Sequence, residues 1–182
     1  MKFKFPNYLT IGRIIIVPVF VFAFYLPGFY GDVIPFALFV IASFTDFLDG
    51  LLARIYKEES KLGELLDPIA DKIIVATALL LLVMNQTIRN YEVIAAIIIL
   101  TREILISGLR EFLAEGKIKL PVSNLAKLKT FLQMFSISLL LMHPLFGNNF
   151  FISILILLLI STFLSLASFL NYLKIWSYLE KK

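Results

Sequence analysis

Six long apolar stretches, separated by short polar breaks, constrain the fold of this chain more than any other feature. The stretches are Leu9–Leu26, Val33–Ala53, Ile69–Met84, Val93–Leu113, Leu125–Met142 and Phe150–Leu173. A helix needs about 20 mostly apolar residues to cross the hydrocarbon core of a bilayer. The sequence therefore predicts an all-α, polytopic membrane protein with six transmembrane helices and a short amphipathic N-terminal segment.

The composition agrees with this prediction and limits what else the chain can contain. Of its 182 residues, 60% are hydrophobic and 16% are charged, whereas soluble domains have about 45–50% apolar and about 25% charged residues. Six spans of about 20 residues use most of the length, so we expect a single domain over residues 1–182. The absence of Cys excludes a disulfide framework, a thiolate metal site and a Cys nucleophile.

The basic residues predict the orientation. If the N-terminus is cytoplasmic, every Lys and Arg except Arg89 lies at the cytoplasmic face, as the positive-inside rule requires. Both termini are then cytoplasmic. The net charge of +4 fits contact with anionic membrane lipids, and the sequence has no basic block or basic–aromatic alternation. We therefore expect no nucleic-acid partner.

Four aspartates lie where the second predicted span ends and the third begins. Asp46 and Asp49 are three residues apart, and Asp67 and Asp71 are four apart, so each pair shares one helix face. A short connection with a turn at Gly63 makes the two helices antiparallel neighbours. The sequence thus predicts four carboxylates around one small volume.

Such a carboxylate cluster has a specific chemical meaning. Four uncompensated negative charges repel strongly in a partly desolvated site, and either protonation or cation binding relieves the repulsion. An all-oxygen donor set without His or Cys selects hard ions such as Mg²⁺ or Mn²⁺ over Zn²⁺. Two such ions suit phosphoryl transfer, so we expect a phosphate-bearing substrate at the cytoplasmic interface.

Each of these residues also has an ordinary structural interpretation. A single aspartate near a helix end is usually a cap or a headgroup contact, and Arg54 at a membrane boundary can extend to the headgroups. Gly50 and Gly63 are also explained as packing and turn glycines. Four carboxylates at these spacings favour the metal interpretation, and next to a metal site Arg54 becomes a phosphate partner.

The acidic segment resembles a known family. The run Asp46-Phe-Leu-Asp49-Gly50-Leu-Leu-Ala53-Arg54, with Gly63, Asp67 and Asp71 beyond it, matches the CDP-alcohol phosphotransferase motif D-x2-D-G-x2-A-R-x8-G-x3-D-x3-D at every fixed position. The resemblance implies a six-helix membrane fold, usually a homodimer, in the cytoplasmic (inner) membrane. It also implies transfer of the phosphatidyl group of CDP-diacylglycerol to an alcohol, with release of CMP.

The same resemblance implies roles for individual residues. Asp46, Asp49 and Asp67 would ligate two divalent ions, and Asp71 would both contact the metal site and act as the general base. The opening Pro6-Asn7-Tyr-Leu9-Thr10-Ile-Gly-Arg13 resembles the start of one branch of the family. The implied nucleotide-binding residues are Asn7, Thr10, Asp46, Gly50, Ala53, Arg54 and Gly63.

A second polar cluster concerns the acceptor alcohol. Arg102 and Arg110, eight residues apart in the fourth span, lie about 80° apart on a helical wheel. Lys127 and Lys129 begin the fifth span at the same membrane face. Each of them separately is explained by headgroup contact. Together they indicate a site for an anionic acceptor, which argues against choline, ethanolamine or uncharged inositol.

This second cluster resembles the branch of the family that uses sn-glycerol 3-phosphate. The branch carries R-E-I-x-I-S-x-L-R-E and V-S-x-x-G-K-x-K-T-x-x-Q-M runs, matched here through Gln133 and Met134 except that Ala126 replaces Gly. The resemblance covers roughly residues 5–134, and the last helix matches by hydrophobicity alone. It implies that the acceptor phosphate is held by Arg102, Arg110, Lys127 and Lys129.

Three alternatives stay open at this point. A sibling enzyme that uses inositol phosphate would share the metal site and also need a basic acceptor pocket. An ion-coupled transporter would use the four aspartates as a cation path, although they cluster near one face and no inverted repeat is visible. A structural dimer would leave the acidic cluster without a task. The lone His143 lies near the predicted outer face, where a structural role is expected.

Overall fold

The computed structural model is all-helical, which confirms the predicted class. It describes the backbone of residues 5–56, 61–115, 124–146 and 148–180, and their side chains except at 5–10, 46–56, 61–65, 67, 114–115, 124, 148–149, 175 and 177–180. This described part holds seven helices and no strand. The helices are α1 (Phe5–Phe24), α2 (Phe29–Tyr56), α3 (Lys61–Met84), α4 (Glu92–Glu115), α5 (Asn124–Leu141), α6 (His143–Phe146) and α7 (Asn148–Glu180).

Each predicted apolar stretch falls on one of the six long helices, while the short α6 was not predicted. Among the described residues, Phe150–Lys174 is long and apolar enough to cross a membrane, with a mean hydropathy of 2.7. Ile11–Phe24 and Phe29–Thr45 are shorter apolar helical segments. The protein is therefore helical with one clear spanning candidate, and the six-span topology stays a prediction.

Two local predictions are modified at the helix ends. The predicted turn at Gly63 is wrong, because α3 already begins at Lys61 and the backbone at Gly63 is helical. The residues from Phe5 onward that were expected in a separate N-terminal segment form the first turns of α1. The predicted break between the first two apolar stretches does hold a turn, in which Gly28 has a φ of +60°, a left-handed conformation that Gly adopts without steric cost.

The apolar core fills one half of the helix bundle. Its fully buried side chains include Phe20 of α1, Phe39 of α2, Leu79 of α3, Ile99 of α4 and Leu158 of α7. The buried charged residues are Arg13 of α1, Arg102 of α4 and Lys129 of α5. We call the part of the bundle that holds these buried charged side chains the polar half, and the candidate site lies there.

Helix α7 packs against both α4 and α5 and turns a polar stripe towards them. Ser161, Ser165, Ser168 and Tyr172 are all at most 2% exposed, and their spacings of four, three and four residues place them on one helix face. Small side chains allow helix backbones to approach closely. Through this stripe, the last helix becomes a wall of the polar half.

Candidate functional site

The predicted acidic half of the site belongs to α2 and α3, two helices that contact each other. The backbone of α2 carries Asp46 and Asp49, and that of α3 carries Asp67 and Asp71. Of these four, the side chain of Asp71 is described and the other three fall outside the described side chains. No group of three potential metal ligands occurs among the side chains that are described. The four-carboxylate metal site therefore stays a prediction.

Asp71 is held by an arginine from the first helix. Its Oδ1 accepts a hydrogen bond from Nη1 of Arg13 at 2.7 Å. The Arg13 side chain is 1% exposed, whereas that of Asp71 is 38% exposed. A buried guanidinium thus fixes the direction of a carboxylate that a substrate can still reach.

This partner was missed in the sequence, although a signal was present. Arg13 lies within an apolar stretch, and a charged residue there is costly unless it is paired. The positive-inside pattern assigns Arg13 to the basic residues of the cytoplasmic face. Interpreted instead as a buried charge that needs a carboxylate, it would have pointed towards the aspartates.

The residues predicted to bind the nucleotide are placed at backbone level only. Asn7 and Thr10 lie in the first turns of α1, Gly50, Ala53 and Arg54 near the end of α2, and Gly63 near the start of α3. Helix α1 packs against both α2 and α3, so these segments belong to neighbouring helices. Their side chains fall outside those described, and their roles stay predictions.

The second half of the site is a group of four side chains from three helices, which we call the basic cluster: Arg102, Glu103, Lys129 and Ser168. Nη1 of Arg102 lies 3.3 Å from Oε1 of Glu103, and Nζ of Lys129 donates to the same oxygen. Nη2 of Arg102 donates to Oγ of Ser168 at 2.9 Å. The cluster therefore connects α4, α5 and α7.

The basic cluster contains more positive than negative charge. Arg102 is 7% exposed and Lys129 is 1% exposed, yet they share one carboxylate. Nε of Arg102 is buried and has no hydrogen-bond partner among the described residues. Because buried cations are costly without matching anions, this arrangement favours the binding of a further anion.

Arg110 lies two turns beyond Arg102 on α4 and also contacts α7. Its Nη2 donates to the hydroxyl of Tyr172 at 2.7 Å, and its guanidinium carbon lies 5.3 Å from the centre of the Tyr172 ring. This distance permits a cation–π contact. Both predicted acceptor-site arginines are thus held by the same face of the last helix.

The two predicted acceptor-site lysines differ in their surroundings. Lys129 is buried against Glu103, whereas Lys127 is exposed. Two residues of an α-helix span about 200° of rotation, which places the lysines on nearly opposite sides of α5. The structure therefore brings Lys129 to Arg102 but does not bring Lys127 there.

Ser168 and Tyr172 were not identified from the sequence, because the last helix matched the family by hydrophobicity alone. A usable signal existed: Ser161, Ser165, Ser168 and Tyr172 recur on one face of an otherwise apolar helix. A polar stripe in a membrane helix points inward to other protein groups. Such a stripe would have indicated that α7 contributes to the polar half.

An open cleft of about 450 Å³ lies between α3 and α4. Its walls include Glu103 and Ser107 of α4 and Lys72 of α3, and Lys72 directly follows Asp71. Apolar residues such as Ile73 and Ile104 form other parts of the wall. The cleft therefore lies between the basic cluster and the segment of α3 that carries Asp71.

Comparison with known proteins adds a family and several relatives. Residues 3–171 match the family of CDP-alcohol phosphatidyltransferases. A Rickettsia felis protein is 43% identical over 171 residues, which cover 93% of each chain. A Haemophilus influenzae protein is 44% identical over 177 residues, 96% of this chain and 94% of the relative. Both relatives are named "CDP-diacylglycerol--glycerol-3-phosphate 3-phosphatidyltransferase".

Proposed function

The chain belongs to the CDP-alcohol phosphatidyltransferase family, and on this premise we propose that it transfers the phosphatidyl group of CDP-diacylglycerol to sn-glycerol 3-phosphate. The products are phosphatidylglycerophosphate and CMP. The names of the two relatives support this acceptor. The family membership favours an enzyme over an ion-coupled transporter or a structural dimer.

The observation that carries the choice of acceptor is the excess positive charge of the basic cluster. Arg102 and Lys129 are buried and share the single carboxylate of Glu103. A phosphate monoester carries about −1.5 to −2 charges at pH 7 and compensates that excess, whereas a neutral alcohol leaves it uncompensated. A charged headgroup precursor is therefore the acceptor class that fits best.

Asp71 is the group proposed to start the reaction. Its carboxylate takes the proton from the acceptor hydroxyl, whose oxygen then attacks the phosphorus of the phosphatidyl group. A new phosphorus–oxygen bond forms there, and the bond from that phosphorus to the CMP oxygen breaks, so that CMP leaves with the electron pair. Arg13 keeps the Asp71 carboxylate in one direction while this occurs.

The donor set fits two Mg²⁺ or Mn²⁺ ions, because it consists of carboxylates without His or Cys. The proposed ligands are Asp46, Asp49, Asp67 and Asp71. When bound, such ions neutralise the pyrophosphate charge and make CMP a better leaving group. The residues proposed to bind the nucleotide are Asn7, Thr10, Asp46, Gly50, Ala53, Arg54 and Gly63.

The setting of the reaction follows from the sequence. We propose a multi-pass protein of the cytoplasmic (inner) membrane, with six spans and both termini in the cytoplasm. The site then faces the cytoplasm, where glycerol 3-phosphate is available, and the lipid substrate arrives through the bilayer. A homodimer is the proposed assembly.

CMP release tests the proposal directly. Purified protein is incubated with CDP-diacylglycerol, Mg²⁺ and one acceptor at a time: glycerol 3-phosphate, inositol phosphate or serine. We expect release with glycerol 3-phosphate alone, and loss of release when the divalent ion is chelated. Release with inositol phosphate or serine instead would keep the reaction class and overturn the acceptor. The absence of CMP release with all three acceptors would overturn the proposed function.

A further inference from the structure

We propose that Glu103 is a specificity-determining residue of the acceptor site. Its carboxylate acts as an internal counter-ion on Arg102 and Lys129, and an incoming anion must displace it. The site then binds doubly charged phosphate monoesters and excludes singly charged anions. This inference rests on the proposed function, because it takes the basic cluster as the place where the acceptor phosphate binds.

The contacts place Glu103 where a phosphate would bind. One oxygen of its carboxylate, Oε1, lies 3.3 Å from Nη1 of Arg102 and also accepts the hydrogen bond of Lys129. A phosphate oxygen between the same two cations would need the same position. Glu103 and an incoming phosphate therefore compete for one set of donors.

The partners differ in how easily they can move. The side chains of Arg102 and Lys129 are 8% and 1% exposed, whereas that of Glu103 is 22% exposed. Arg102 is also held from α7 by Ser168. The carboxylate borders the open cleft between α3 and α4, which gives it space to leave. The cations are the fixed part of the cluster, and Glu103 is the replaceable part.

The charges explain the selectivity. Arg102 and Lys129 carry two positive charges and Glu103 one negative charge. An anion with one charge brings no more charge than the carboxylate that it displaces, so the exchange yields no net Coulombic gain. A dianion with three terminal oxygens brings twice the charge and more hydrogen-bond acceptors. Displacement of Glu103 is therefore favoured by charge for a phosphate monoester and not for a diester or a carboxylate.

The test uses two small probes that differ in one charge. Binding of methyl phosphate, a dianion at pH 8, and of dimethyl phosphate, a monoanion, is measured by titration calorimetry on the purified full chain. We expect the wild type to bind methyl phosphate and to show no measurable binding of dimethyl phosphate. In Glu103→Gln, methyl phosphate should bind at least tenfold tighter than in the wild type, and dimethyl phosphate binding should become measurable.

Glu111→Gln is the matched control. Glu111 borders the same cleft and is exposed, so this variant removes the same charge without touching the basic cluster, and we expect a change below twofold. An equal gain in probe affinity in this control would mean that the substitution acts only through the overall electrostatic potential of the cleft, and would overturn the proposal. Unchanged or weaker methyl phosphate binding in Glu103→Gln would overturn it as well.

A second variant and an activity measurement separate the remaining outcomes. If Glu103→Gln does not fold, Glu103→Asp keeps the charge but shortens its reach, and a smaller gain in methyl phosphate affinity is expected; no gain contradicts the role of Glu103. Wild-type CMP release is measured on the same preparation. Its absence with glycerol 3-phosphate overturns the proposed function, whereas the binding titrations decide the part of Glu103.

Discussion

The Arg13–Asp71 pair and the basic cluster are both built from contacts between basic side chains and a carboxylate, but they differ in the number of cations for each carboxylate. In the pair, one buried guanidinium meets one carboxylate. In the basic cluster, Arg102 and Lys129 meet the single carboxylate of Glu103. The contact between Arg13 and Asp71 serves to orient a carboxylate, whereas among the described side chains the cluster has two cations for one carboxylate, an excess of positive charge that an anion can complete.

The two regions also share an asymmetry. In both, the cation is buried and the carboxylate is more exposed, with side-chain exposures of 38% for Asp71 and 22% for Glu103. The carboxylate is thus the member that meets an incoming molecule. Asp71 is proposed to react with the acceptor hydroxyl, and Glu103 is proposed to give way to the acceptor phosphate.

The largest expected effect on activity comes from a substitution that prevents proton transfer to Asp71 while keeping its contact with Arg13. Asp71→Asn retains an oxygen that accepts from Arg13 but cannot take a proton. We expect CMP release to fall by about 10²–10⁴-fold, the usual contribution of a general base, with thermal unfolding little changed. A variant that keeps more than a tenth of the wild-type rate would rule out Asp71 as the base.

The next largest effect tests which of the two lysines of α5 binds the acceptor. Lys129→Met removes a buried cation that the structure places beside Arg102, and a lost charged hydrogen bond costs about 1.5–3 kcal/mol. We expect the KM for glycerol 3-phosphate to rise about 10- to 150-fold. Lys127→Met, two residues away and exposed, should change it less than threefold. Equal effects of both variants would support the predicted phosphate site in which Lys127 takes part together with Lys129.

A smaller effect concerns the contribution of the last helix. Tyr172→Phe keeps the ring beneath Arg110 but removes the hydroxyl that accepts its hydrogen bond. A net loss of about 0.5–1.5 kcal/mol corresponds to an increase in acceptor KM of about 2- to 12-fold. Tyr25→Phe, which removes a hydroxyl bonded to Met84, serves as the control. No difference between the two variants would remove Tyr172 from the acceptor site.

The smallest effect lies outside both regions. Burial against Phe151, whose ring centre lies 4.5 Å away, lowers the pKa of His143, although Asp32 partly opposes this. Because the folded protein keeps this imidazole neutral while the unfolded chain protonates it, stability should fall as the pH drops below about 6.5. His143→Gln should show a smaller decrease in melting temperature between pH 7.5 and 5.5. If the variant shows the same decrease in melting temperature as the wild type, the pH dependence belongs to other groups.

The sequence predicts those features of the molecule that depend on local pattern. Apolar runs near 20 residues located the six long helices, and the spacing of Arg102 and Arg110 placed both on the side that the structure turns to α7. The partners of these groups could not be found in the same way. Arg13 is 58 residues from Asp71, and Ser168 is 66 residues from Arg102, and helical periodicity carries no information on such pairings.

The rotation of residues around the axis of α5 explains why Lys127 and Lys129 differ in their surroundings. Lys127 and Lys129 both fit the sequence pattern of the family branch, and the pattern alone gives them equal roles. The packing of α5 against α7 decides which side of α5 is buried, and that side carries Lys129. Which basic residue enters the cluster is therefore a property of helix packing, which the local sequence does not contain.

The contribution of α7 has a consequence for how the protein is made. The Arg13–Asp71 pair needs only α1 and α3, so it can form as soon as the early helices meet. The basic cluster is complete only when the last described helix adds Ser168; until then Arg102 keeps its contact with Glu103 but lacks the hydrogen bond from its Nη2 to Ser168. A chain that stops before α7 therefore leaves Arg102 and Arg110 without their hydrogen bonds to Ser168 and Tyr172, and the acceptor-binding region is finished only when the last described helix docks.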